Sequence, residues 1–123
     1  MVDGNQSAQA DIRKRSFDFA VRILRLVRAL PREPGLQVVT RQLARSGTSV
    51  GANIEEAQGS QSRKESARRM NIARSEAREA FYWLRLLAEA KLVPRSRLDA
   101  ITREAEEIVR ILVAIVKTMR AQR

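Results

Sequence analysis

Glu55, Glu56, Glu76 and Glu79 are the carboxylates that a helical chain could turn inward to do chemistry. In helical bundles such acids build di-iron centres, but that geometry takes a Glu-x-x-His pair from each of two helices, and the chain contains no histidine. Their expected role is structural, in ion pairs with Arg41, Arg45 or Arg74. Glycoside hydrolysis by paired acids is equally unsupported, because no aromatic sugar platform accompanies them. The second chemical-looking stretch is RSGTSVGANIEEAQGS, from Arg45 to Ser60. A phosphate-cradling Walker loop needs Gly, four residues, then Gly-Lys-Ser/Thr after a strand. GTSVG has the wrong spacing, no lysine and no strand before it. With cysteine also absent, there is no thiolate nucleophile, no disulfide, no Cys/His zinc site and no imidazole base. The sequence therefore reads as a non-enzyme with no catalytic residue, no metal and no cofactor. What it has in quantity is positive charge, 24 Lys and Arg against 14 Asp and Glu, for a net +10. Such a field attracts polyanions and weakens with salt.

These charges must be carried by elements, and the composition points to helices. Apolar residues make up 44% of the chain and aromatics only 4%, with Leu, Ile, Val and Ala beside abundant Arg and Glu. A chain of 123 residues is one domain by length, able to bury roughly two-thirds of its unfolded surface. No apolar run approaches the ~20 residues that cross a bilayer. The polar N-terminus, MVDGNQSAQAD, lacks a hydrophobic export segment. The expectation is a cytoplasmic protein with a disordered tail over residues 1–10 and a bundle over residues 11–123.

Four amphipathic stretches follow. Ile12, Phe19, Ile23, Leu26, Val27 and Leu30 recur at helical steps, with Phe17, Ala20 and Leu24 widening the stripe until Pro31, Pro34 and Gly35 end it. Leu36, Val39, Leu43, Ser46, Val50, Ile54 and Ala57 run straight through the glycine-rich stretch, so that stretch reads as helix. Gln42, Ser46, Ser49 and Asn53 fall on one flank of this stripe, placed to bond a facing helix. Gly47 and Gly51 fall on the other, where they permit close backbone approach. Each helical glycine costs about 1 kcal/mol relative to Ala, so a tertiary contact must offset it. Gln58 to Ser60 close this helix, and Ser62 with Glu65 forms a capping box for the next. The third helix extends to about Leu92 through Ser66, Met70, Ala73, Ala77, Ala80, Phe81, Leu84, Leu87 and Ala88. Pro94 opens the fourth, whose Leu98, Ile101, Ala105, Ile108, Leu112, Ile115 and Met119 make a heptad seam, with Val109, Val113 and Val116 beside it.

Four such helices with short turns predict an all-α, antiparallel up-down-up-down bundle. A surplus row on the third helix, Ile72, Trp83 and Leu86, has no internal use and predicts a homo-oligomer interface; the alternative is the edge of a wide core. Outward-facing Lys14, Arg22 and Arg25 on the first helix, Arg74, Arg78 and Arg85 on the third, and Arg103, Arg110 and Lys117 on the fourth are the candidate nucleic-acid contacts. Phosphate contacts of this kind position a strand without reading its sequence.

The stretch from Gln42 to Leu92 also resembles a known bacterial family. The pattern is carried by Gln42 and Leu43, Arg45 and Ser46, Ser49 and Val50, Asn53, Ile54 and Glu56, Ser62, then Ile72, Ala73, Ser75, Glu79, Trp83 and Leu84. It is similar to the four-helix-bundle proteins encoded in intervening sequences of 23S ribosomal RNA genes, whose ribosomal label follows from gene location. A departure is Glu55-Glu56-Ala57, where many relatives have Ala-Glu-Gly. The resemblance implies a four-helix bundle without known enzymatic activity that assembles as a homo-oligomer, characteristically a pentameric ring. A relative in diversity-generating retroelements, the accessory variability determinant, is a basic pentamer that binds nucleic acid and a reverse transcriptase. The functional expectation is a basic oligomeric bundle that binds RNA or DNA. The rival expectation is a scaffold docking a protein partner such as a reverse transcriptase or another nucleic-acid enzyme.

Overall fold

The computed structural model describes the backbone of residues 4–122 and the side chains of residues 11–122. Four α-helices follow one another: α1 over Gly4–Ala29, α2 over Pro34–Gln58, α3 over Arg63–Glu89 and α4 over Arg95–Ala121. No strand occurs among the described residues. Each helix packs against two neighbours, α1 on α2 and α4, α3 on α2 and α4, and the backbones of the diagonal pairs stay apart. Neighbours run antiparallel: Arg45 of α2 reaches Glu79 of α3 while Asn53 meets Arg69, and Arg63 of α3 reaches Gln122 beyond α4. The result is an up-down-up-down four-helix bundle.

The helix boundaries have local causes. α1 begins at Gly4, ahead of the expected start at Asp11; residues 1–3 of the expected tail lie outside the described residues. α2 opens with Pro34 in its first turn, where the missing N–H is harmless. Ser62 caps α3, its hydroxyl accepting from the Glu65 N–H at 3.1 Å. α3 ends at Glu89, short of Leu92, because Lys91 adopts φ 57°. There the Leu92 N–H donates to the Leu87 carbonyl and the Lys91 N–H to the Ala88 carbonyl, a Schellman closure.

The expected stripes form the core: Ile12, Phe19, Ile23, Leu43, Val50, Ile54, Met70, Ala73, Leu84, Leu98, Ile108 and Leu112 are all buried. Phe17 and Leu24 depart from expectation, since they are 69% and 52% exposed and widen no buried stripe. In their place Ser16 is fully buried, its hydroxyl satisfied by the Arg13 carbonyl at 3.0 Å. A small residue is needed there because the α2 backbone passes close by. A Cβ on Gly51 would come within 3.3 Å of Ser16 Oγ, and one on Gly47 within 2.9 Å of Ile23 Cγ1. The two glycines do let α2 settle against α1, and this contact offsets their poor helix propensity.

The polar flank of α2 behaves differently from expectation. Ser46 donates to the Gln42 carbonyl, Ser49 to that of Arg45, and the Asn53 amide to that of Ser49, at 2.7 to 2.9 Å. These short side chains satisfy themselves on their own helix, as hydroxyls and amides four residues from a carbonyl readily do. Only Asn53 crosses to α3, accepting from Arg69 at 3.5 Å.

Candidate nucleic-acid interface

Because α3 and α4 are antiparallel, the first turns of α3 meet the last turns of α4. The basic segments Arg63 to Arg69 and Lys117 to Gln122 thus become neighbours, and Arg63 donates to the Gln122 carbonyl at 3.3 Å. Between them lies an open cavity of about 790 Å³ lined by Arg63, Lys64, Ala67, Arg68, Asn71, Met119, Arg120 and Gln122. A second, of about 420 Å³, adjoins it through the shared Asn71 and Arg120 and adds Arg74, Arg78, Val113, Val116 and Lys117. Together they make one groove along the α3–α4 seam from Arg63 to Arg78, about 22 Å at 1.5 Å per helical residue. Among the described residues its walls carry seven cations and no carboxylate side chain.

The acid nearest in sequence is already engaged. Glu65 accepts from Arg68 at 2.7 Å and from Arg69 at 3.3 Å, and these bonds, the Arg68 one foremost, hold its carboxyl down at about 2. Arg74 donates to Asn71 Oδ1 at 2.9 Å. Lys64, Arg78, Lys117 and Arg120 make no ion pair with any described residue. Lys117 and Arg120 suit the C-terminal end of α4, whose dipole favours cations, but Arg63 and Lys64 stand in the first turn of α3, where a cation is disfavoured by about 0.3 to 1 kcal/mol. Of these two, Arg63 has an internal partner in the Gln122 carbonyl, while Lys64 makes no ion pair with any described residue. Between the basic rims, Ala67 and Met119 are half-buried, Val116 is buried and Val113 is 41% exposed, giving the groove an apolar floor.

Of the nine cations expected to contact nucleic acid, the fold brings Arg74, Arg78 and Lys117 together in this groove. The other six do not join it. Lys14 pairs with Asp18 at 2.8 Å, Arg110 with Glu106 at 3.4 Å, and Arg85 lies 5.2 Å from the Phe81 ring centre toward the other end of α3. Arg22 and Arg25 are exposed on α1, and Arg103 is exposed on the side of α4 that also carries Lys117 but nearer the start of that helix, outside the groove lining. Sequence reasoning missed Arg63, Lys64, Arg68, Asn71 and Arg120. The available signal is the antiparallel topology itself, which sets the start of the third helix beside the end of the fourth.

The carboxylates sort as ion pairs, with partly different partners from those expected. Arg45 donates to Glu76 at 3.0 Å and also to Glu79, while its Nε donates to Gln42 Oε1 at 3.2 Å. Trp83 Nε1 donates to the same Glu79 oxygen at 3.0 Å. Burial opposes ionisation of Glu79, but the Trp83 and Arg45 hydrogen bonds outweigh it and its carboxyl lies below the usual range. Glu55 pairs with Arg13 rather than Arg41, Arg74 goes to Asn71, and Glu56 is exposed. The network from Gln42 through Arg45 and Glu79 to Trp83 clamps α2 to α3. It also decides the surplus row in part: Trp83 packs half-buried against the core and Ile72 is half-buried, while Leu86 stays 36% exposed beside Tyr82, whose ring meets Trp83 edge-on at 5.0 Å.

The fold and sequence have known counterparts. The family model for the 23S rRNA-intervening sequence protein matches residues 8–114. A crystal structure of a protein of unknown function from the S23 ribosomal protein family of Bacteroides thetaiotaomicron superposes with a TM-score of 0.82 at 39% identity, covering 89% of this chain and 98% of that one. Among curated proteins none matches. With the match running from the α1 helix well into α4, the chain belongs to the 23S rRNA-intervening sequence protein family.

Proposed function

We propose that the protein is a non-enzymatic basic bundle that binds RNA or DNA through phosphate contacts with little sequence selectivity, acting as a homo-oligomer of which the pentameric ring implied by the family resemblance is one form. The observation that carries this reading is the α3–α4 groove, where Lys64, Arg78, Lys117 and Arg120 have no acidic partner among the described residues. Each phosphate neutralised releases counterions, so affinity falls as salt rises. One groove offers few contacts. A ring repeats it, and avidity then grows by orders of magnitude when one strand touches several copies.

Fluorescence anisotropy with labelled RNA and DNA at about 50 and 200 mM salt tests the reading. Binding should be strong at the lower salt, collapse at the higher, and fall for every sequence alike in Arg78→Glu/Lys117→Glu. Arg103→Glu, outside the groove, should bind nearly as the unmodified protein does. No binding to any nucleic acid at low salt, or binding indifferent to salt, overturns the proposal. The scaffold reading then takes its place, supported by the exposed Tyr82 and Leu86 beside Arg85.

A further inference from the structure

We infer that the occupant of the α3–α4 groove is single-stranded nucleic acid, with its phosphates on the basic rims and its bases turned down onto the apolar floor. The inference rests on the nucleic-acid reading above and sharpens it to a class of ligand. Phosphate attraction alone would make no such choice, since a duplex and a single strand both present anionic backbones. The floor makes it. Val113, on the solvent side of a mid-helix turn, is 41% exposed between cations, and Met119 and Ala67 continue the apolar surface toward the Arg63 end. A duplex keeps its bases stacked inside and has nothing apolar to set on that floor. An unpaired strand has free base faces, and the polarisable thioether of Met119 suits an aromatic ring edge.

Width points the same way. Packed helices lie about 8 to 10 Å axis to axis, a trough too narrow for a duplex, whose two backbones are held apart by grooves of about 6 and 12 Å. A duplex would rest on the rims and leave the floor wet. A single strand fits between them. Along α3, Lys64, Arg68, Arg74 and Arg78 recur every one to two turns, so cations are met repeatedly as a strand follows the seam. Asn71, midway, has its Oδ1 occupied by Arg74, which leaves its amide NH₂ as a donor to a phosphate oxygen or a base edge.

The experiment compares U20 and dT20 single strands with their duplexes of equal length, at one salt concentration and over a salt series, using the full chain. At least one single strand should bind tenfold or more tightly than its duplex; the two arms identify which sugar is preferred. Val113→Gln/Met119→Gln changes no charge, so it should weaken single-strand binding about tenfold with an unchanged salt slope and alter duplex binding less than twofold. Val113→Gln alone, at an already open position, keeps the test available if the double variant folds poorly. Lys117→Gln should lower the single-strand slope by about 0.7. Duplex binding equal to or tighter than both single strands, or equal losses on both in the neutral floor variants, overturns this inference and leaves the broader nucleic-acid reading standing. Failure of every nucleic acid to bind removes both.

Discussion

Gly47 and Gly51 stand one helical turn apart on the same face of α2, yet they meet different neighbours. A Cβ at Gly47 would press on Ile23 Cγ1 and Cγ2 at 2.9 and 3.0 Å, atoms next to the branch point of a buried side chain that has little room to rotate away. Replacing Gly47 by Ala gains about 1 kcal/mol of helix propensity, but overpacking of this kind costs about 1 to 3 kcal/mol. Gly47→Ala should therefore leave urea-denaturation stability lower or at best unchanged. Ile23→Ala removes the obstructing atoms, so the double variant should be more stable than the sum of the two single effects implies. Additive effects would show that the glycine contact does not set the spacing. At Gly51 the neighbour is the Ser16 hydroxyl and backbone, which the larger Gly51→Leu side chain cannot avoid, and a loss of about 1 to 3 kcal/mol or more is expected.

At the scale of elements, α3 has one well-made end and one compromised end. Ser62 satisfies an orphan N–H at its start, and Ser62→Ala should cost about 1 kcal/mol. Lys91 holds a left-handed conformation that glycine adopts without penalty, so Lys91→Gly should raise stability by about 1 kcal/mol. Thermal unfolding by circular dichroism measures both, and a destabilised Lys91→Gly would mean that the side chain does more than occupy the closure. Glu65 adds a pH dependence to the same helix. Its folded-state value, about 2, lies below its ordinary 4.5. Its stabilising contribution is thus complete above about pH 4.5 and is lost as pH falls toward 2. The stability gap between the unmodified protein and Glu65→Gln should be small, because the pair is solvent-screened, and should close between those limits. A gap that widens on acidification would reverse the assignment.

For the whole molecule the decisive quantity is how charge and apolar surface are distributed once the bundle closes. Among the described residues Arg13, Lys14, Arg15, Arg45, Arg68, Arg69, Arg95 and Arg110 are matched by carboxylates; of the other cations, Arg63, Lys64, Arg74, Arg78, Lys117 and Arg120 share the α3–α4 seam and the rest are scattered over the bundle. Apart from Val113 in the groove, exposed apolar residues include Tyr82 and Leu86 on α3 and Phe17 and Leu24 on α1. Light scattering at micromolar concentration should give a mass several times 13.9 kDa. Leu86→Glu should reduce that mass without changing helix content. Trp83→Glu is a poorer probe, since it also breaks the bond to Glu79 and the packing on the core. A monomeric unmodified protein would end the oligomer proposal and with it the avidity on which tight binding depends.

Sequence by itself determined the number of helices, their order and most of the core, because apolar spacing at 3.6 residues per turn, proline and glycine breaks and the Ser62 cap are local signals that one chain segment carries alone. It also determined that Gly47 and Gly51 lie within a helix, since the stripe from Leu36 to Ala57 runs through them without a break. Only the tertiary structure decided which side of an amphipathic helix is buried at its margins. Phe17 and Leu24 lie near enough to the stripe to pass as core, and Ser16 looks too polar, until the close approach of α2 reserves that place for a small side chain. The basic groove was likewise beyond local reading: Lys64 and Arg120 are 56 positions apart and become neighbours only when α3 and α4 pack antiparallel. Helical periodicity reports which residues share a face of one helix. It is silent on which faces of two helices come to share a seam, and that juxtaposition is what brings cations from α3 and α4 to one groove.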